Sequence, residues 1–133
     1  MAITNKNLQP VYVKKARLNL VNNNYDGVYD GDTVYLDIDV FEGVVKENER
    51  IRLYGLNTKE IRGVEREEGL IAKAFVKAKL TNCSEMIVET IKDKRGKYGR
   101  LLGIIWYKNA DEDFFTNLNS ELLEEGIAEV YVP

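Results

Sequence analysis

The feature that most constrains this chain is a change of hydrophobic period. In TVYLDIDV (33–40) Val34, Leu36, Ile38 and Val40 lie on one side, with Thr33, Tyr35, Asp37 and Asp39 on the other. A period of two belongs to a half-buried strand. Further along, Ile71, Ala74, Phe75 and Ala78 recur at i, i+3, i+4 and i+7, the spacing of an amphipathic helix of about four turns that buries those four residues. EMIVETI (85–91) and RLLGIIWYK (100–108) then return to strand character, forming a hairpin across the polar loop KDKRGKYG.

The remaining segments complete the pattern. VYVKKARLNL (11–20) alternates loosely as a first strand and NNNYDG follows as a turn, while the turn-like FEGVVKENE precedes a third strand, RIRLYGL. Glu65, Glu67 and Glu68 crowd the start of the central helix and Lys73, Lys77 and Lys79 its end, in keeping with the helix dipole. A shorter helix is expected through LNSELLEE, with Leu118, Leu122 and Leu123 inward and Gly126 as its stop. Five strands, mostly antiparallel by connection length, with one helix after the third and a short one near the end, fit a mainly β fold with α: a five-stranded Greek-key barrel of the OB type. A ferredoxin-like layer would distribute its helices differently.

The 133 residues suffice for one compact domain, 1–133, with a real core. The absence of histidine excludes Ser-His-Asp triads, Cys-His pairs and His-ligated metal sites. Catalysis is left to carboxylates, Lys, Arg, Tyr or an oxygen-liganded metal. A net charge of -3 argues against coating nucleic acid with a broad basic face, so phosphate would be held in a local pocket. The lone Cys83 allows no internal disulfide. LLGIIW is too short to span a bilayer, and MAITNKNLQP lacks the pattern of a secretory signal. The expectation is an intracellular, phage-encoded or already processed protein, with no membrane and no obligate protein partner.

Three segments carry possible site chemistry. In YDGDT, Asp30 and Asp32 flank a glycine; one carboxylate could bind a cation while the other supports it, although D-G-D also makes an ordinary turn. In RLYGLNTKE, Arg52 leaves a strand before Asn57, Thr58 and Glu60, oxygen donors for a hard cation or simply an exposed polar loop. In GKYGR, glycines bracket Lys97 and Tyr98 ahead of Arg100, supplying a point charge, a stacking ring and a bidentate fork for phosphate, or a solvated hairpin turn.

Taken together, DGDTV (30–34), RLYGLNTKE (52–60), the helix GVEREEGLIAKAFVKAKL, KYGR (97–100) and LNSELLEEGIA resemble the staphylococcal nuclease (thermonuclease) family over roughly residues 28 to 130. The resemblance implies a nuclease that cleaves DNA, RNA or both with little sequence specificity. It implies one Ca2+ ion held by Asp32, Asn57 and the backbone carbonyl of Thr58, with Asp30 in the outer shell. Glu60 would activate or orient water, Arg52 and Arg100 would hold the scissile phosphate, and Lys97 and Tyr98 would contact the neighbouring phosphate and nucleotide.

The chain departs from that family at Asn57, where an aspartate is usual. The amide keeps an oxygen at similar reach but removes one formal negative charge, so a weaker metal site is expected. Lys59 stands where proline is common, adding a cation and a more flexible loop beside the site. The chain ends at Pro133, so the further C-terminal helix of longer members is expected to be missing; Tyr131 is either a stacking ring or a core residue. The alternatives to a nuclease are a catalytically weak or inactive OB module that binds nucleic acid or protein, and a purely structural barrel.

Overall fold

The computed structural model describes residues 13–92 and 101–131. Five long strands carry the fold: β1 (Val13–Leu18), β3 (Thr33–Phe41), β4 (Val44–Leu53), β6 (Glu85–Lys92) and β7 (Leu101–Lys108). β3 pairs with β1 and β4, β6 pairs with β1 and β7, and β7 pairs with β4. These pairings close a ring, so the five strands expected from sequence form the OB-type barrel. Every contact in the ring is antiparallel except β4 with β7, because the chain crosses the barrel through α1 (Arg66–Asn82) and β6 between those two strands.

Four short strands give no readable period: β2 (Val28–Asp30), β5 (Leu56–Thr58), β8 (Thr116–Asn117) and β9 (Ala128–Val130). β5 pairs with β9 although Leu56 and Val130 are far apart in sequence, and this ties the end of the described chain to the loop after β4. The turn expected across FEGVVKENE is also shorter than its composition suggests. β3 runs on to Phe41 and β4 begins at Val44, with Asp39 opposite Val45 and Phe41 opposite Val44. Backbone pairing extends this hairpin beyond the barrel, so Val40 is 40% exposed while Val34 and Leu36 on the same alternation are fully buried.

The core is filled by Leu36, Ile38, Ile51, Leu53, Val88 and Ile105 from the strands, with Val76 and Leu80 from α1 and Leu118 and Leu122 from α2 (Leu118–Glu124). Each fully buried Leu, Ile or Val side chain is worth roughly 1.5–3 kcal/mol. α2 lies as its pattern predicts, capped by the Asn117 side chain accepting from the Ser120 N–H. It ends at Gly126, whose φ of 73° is left-handed and lets the Ile127 N–H reach the Leu122 carbonyl at 3.0 Å. The buried Asn119 fastens α2 to the barrel, accepting from the Ile105 N–H and donating to the Gly103 and Tyr54 carbonyls.

α1 turns a different face inward from the one its period predicts. Ile71 is 63% exposed and Ala74 and Ala78 are exposed too, whereas Gly69, Ala72, Val76 and Leu80 are buried. Phe75 packs against the core only in part. Two apolar stripes run side by side on this helix, and in its first half the smaller Gly69 and Ala72 turn inward because the helix there lies very close to its neighbours, whereas Val76 and Leu80 fill the core further along. A Cβ at Gly69 would stand 2.1 Å from the Glu60 carbonyl oxygen, and one at Gly31 would stand 2.7 Å from the Ala72 Cβ. Cys83, just past the helix, is a half-buried thiol that donates to the Leu80 carbonyl, and burial pushes its pKa up.

Candidate active site

Where β2, β3 and β4 meet β5 and the start of α1, a cleft of about 970 Å³ opens. Asp30, Asp32, Arg52, Asn57, Thr58 and Glu60 all line it. Segments separated by tens of residues converge there because Thr33 pairs with Arg52 across β3 and β4, while β5 carries Asn57 and Thr58 over the top.

Asp32 is buried and accepts from three donors. Its Oδ2 takes an ion pair from Arg52 at 3.1 Å and the Thr58 N–H at 3.2 Å, and its Oδ1 accepts from the Thr33 hydroxyl at 3.1 Å. Such a carboxylate tolerates burial because a cation and two hydrogen bonds replace the water it loses. The Asp32 N–H donates to Asp30 Oδ1 at 3.1 Å, so the D-G-D stretch is at once a turn and part of the site. Burial pushes the Asp30 carboxyl up to about 7, as do the hydrogen bond and the charge of Asp32, with Arg52 and the backbone hydrogen bond from Asp32 pulling the other way.

Arg52 is the hinge of the arrangement. Its second terminal nitrogen donates to the Leu56 carbonyl at 3.2 Å and to Asn57 Oδ1. Its guanidinium carbon lies 5.6 Å from the centre of the Tyr131 ring, which places Tyr131 at the cleft edge instead of in the core. One guanidinium therefore spans Asp32 and Asn57, the two side chains that the resemblance assigns to a metal.

The donor chemistry suits a hard cation, since Asp32, Asn57 and the Thr58 carbonyl offer only oxygen. Among the described residues no three carboxylates, cysteines or histidines converge as metal ligands, so a cation here would rest on Asp32 and neutral oxygens. The buried Thr58 Oγ1 has no hydrogen-bond partner among the described residues, an unsatisfied oxygen in the same wall.

The opposite wall is looser. Glu60 is exposed, and no described residue hydrogen-bonds its carboxylate; its backbone N–H donates to Glu65 Oε1 at 3.2 Å. The other Glu65 oxygen pairs with Lys59 at 3.5 Å, so the extra cation of this loop is directed at a neighbouring carboxylate. Gly69 leaves room for the Glu60 carbonyl to cross α1. Lys97, Tyr98 and Arg100 lie outside the described residues. The motif-based reading assigns no role to several cleft residues, among them Tyr29, Arg50, Arg62 and Glu129. The available signal was the period of two, which sets Arg50 on the same strand face as Arg52.

A family model described as staphylococcal nuclease homologue matches residues 50–133, more than half of the chain. That stretch includes Arg52, Asn57, Thr58 and Glu60 but begins after Asp30 and Asp32, which the fold brings to them. No curated protein matches the chain.

Proposed function

Because the chain belongs to the staphylococcal nuclease family, we propose that it is a Ca2+-dependent nuclease, hydrolysing phosphodiester bonds of DNA or RNA with little sequence specificity. The observation that carries this reading is the shared cleft, which gathers a buried carboxylate, a guanidinium, oxygen donors and the exposed Glu60 around one volume. Phosphate contacts without base contacts carry no sequence information.

In this reading Asp32, Asn57 and the Thr58 carbonyl hold the cation, with Asp30 behind Asp32. Bound there, Ca2+ would supply a Lewis acid to a phosphoryl oxygen. Arg52 then turns its fork from Asp32 and Asn57 toward the phosphate, where bidentate donation stabilises the charge that develops during attack. Glu60, whose carboxylate no described residue engages, accepts a proton as the water oxygen bonds to phosphorus; the P–O bond to the leaving sugar oxygen breaks, and that oxygen takes up a proton from solvent. Arg100, Lys97 and Tyr98 complete the phosphate and nucleotide contacts. No histidine is required.

The test is digestion of single-stranded DNA by the purified protein. Ca2+ switches cleavage on and a chelator switches it off, and Glu60→Ala or Arg52→Ala lowers the rate by on the order of 10²–10³. Intact wild-type substrate at millimolar Ca2+ across several pH values would sink the proposal. The second reading, an OB module that binds without cleaving, draws on the guanidinium already bridging Asp32 and Asn57. It predicts metal-independent binding, no product and no rise of melting temperature with Ca2+.

A further inference from the structure

Beside the cleft a group of aromatic and cationic side chains continues the same surface. The Arg50 guanidinium carbon lies 4.9 Å from the centre of the Tyr29 ring and 5.9 Å from that of Tyr35, and its Nη1 donates to the Tyr35 hydroxyl at 3.1 Å. Tyr25 stacks on Tyr35 at 5.9 Å with 7° between the rings and meets Tyr29 edge-on at 4.8 Å. Lys73 of α1 stands 5.9 Å over the Tyr25 ring.

Cross-strand aromatic contacts of this kind also stabilise sheets, and two further observations point beyond that role. Arg50 is exposed and no described carboxylate pairs with it, whereas Arg52 is spoken for by Asp32. Tyr29 and Arg50 themselves line the cleft. Arg50 and Arg52 stand opposite Tyr35 and Thr33 in register, so they share one strand face with their roots roughly 6–7 Å apart. That separation is on the order of one nucleotide step along an extended strand, whose backbone and unstacked bases suit a row of cations and ring faces. A duplex would keep its bases away from these rings.

We propose that Arg50, with Tyr29 and Tyr35, forms a second nucleotide subsite next to Arg52, through which the protein grips a single strand for at least one residue beyond the scissile phosphate. Arg50 contacts the next phosphate, and the tyrosine rings, half-buried at the cleft rim, receive the adjoining base. This rests on the nucleic-acid reading above and adds, to the contacts assigned there to Lys97 and Tyr98, a phosphate and base contact on the Arg50 side of Arg52.

The test is fluorescence anisotropy with labelled oligothymidylates of two, three, six and ten nucleotides, in chelator so that nothing is cleaved. For the wild type, affinity rises between two and three or more nucleotides. Arg50→Gln leaves the dinucleotide unchanged and weakens the longer strands about tenfold. The slope of log K against log salt falls by about 0.7 for those strands. Arg50→Lys restores the salt slope but not the full affinity, because a point charge lacks the planar fork that grips phosphate with two hydrogen bonds. Tyr29→Ala, checked for its melting temperature, reproduces the length-selective loss. Wild-type length dependence in Arg50→Gln, with Arg52→Ala binding nothing, would overturn the second subsite and leave the first. Equal loss at every length would merge Arg50 into the Arg52 site and also overturn it. No binding by the wild type at any length would overturn the second subsite, while the Ca2+-dependent digestion assay separately decides the nuclease reading.

Discussion

The two walls of the cleft are built on opposite principles. On the barrel wall Asp32 is 6% exposed and held by Arg52, Thr58 and Thr33, and Arg52 is held in turn by Leu56 and Asn57. On the loop wall Glu60 is exposed and, among the described residues, only its backbone is fastened, by Glu65, over the gap that Gly69 leaves. One wall fixes charge in place as part of the fold, and the other presents a carboxylate the fold does not need. In the proposed mechanism the group that holds position is the buried and bonded one, and the group that would exchange protons with water is the one left in contact with it.

That contrast predicts unequal responses to mutation. Asp32→Ala strips the partner from a half-buried Arg52 and should lower unfolding free energy by about 3 kcal/mol in urea titration. Glu60→Ala should stay within about 0.5 kcal/mol of wild type, although both variants lose cleavage. Comparable destabilisation by the two would break the distinction between the walls. Gly69→Ala should destabilise by about 2 kcal/mol, because the new Cβ overlaps the Glu60 carbonyl. At an unobstructed helix position the same change would stabilise by up to about 1 kcal/mol, so thermal melts decide by sign alone.

Two smaller effects sharpen the picture of the barrel wall. Asn57→Asp adds a negative charge to the proposed cation site and should tighten Ca2+ binding about tenfold by calorimetry, equivalent to about 1.4 kcal/mol. Unchanged affinity would mean that Arg52 absorbs the added charge. Thr58→Val removes the buried Oγ1 that no described group satisfies and should be neutral or stabilising by up to about 1 kcal/mol in thermal melts. A clear loss of stability would reveal that this hydroxyl has a structural partner.

Much of the fold was legible because its signals are local. The alternation of 33–40 marked β3, and Leu118, Leu122 and Gly126 marked α2 and its end. The face of α1 was not legible, since Ile71 and Phe75 are larger than Gly69 and Ala72 and read as the better core stripe. The inward face was chosen by how closely α1 must approach Gly31 and the Glu60 backbone. In the site, Asp30, Asp32, Arg52, Asn57, Thr58 and Glu60 stood out by type and spacing, whereas Arg50 lies in no motif and Tyr29, although the first residue of YDGDT, is noticed only through its neighbours.

The sequence by itself determined the order of the five long strands and two helices and, by lacking histidine, the kind of chemistry available. Tertiary structure alone decided that Arg52 spans Asp32 and Asn57, that β9 closes over β5, and that a tyrosine group adjoins the cleft. The physical reason is range. Side-chain period and turn chemistry act between residues a few positions apart, while charge pairing and ring stacking across strands depend on which distant segments the barrel brings together.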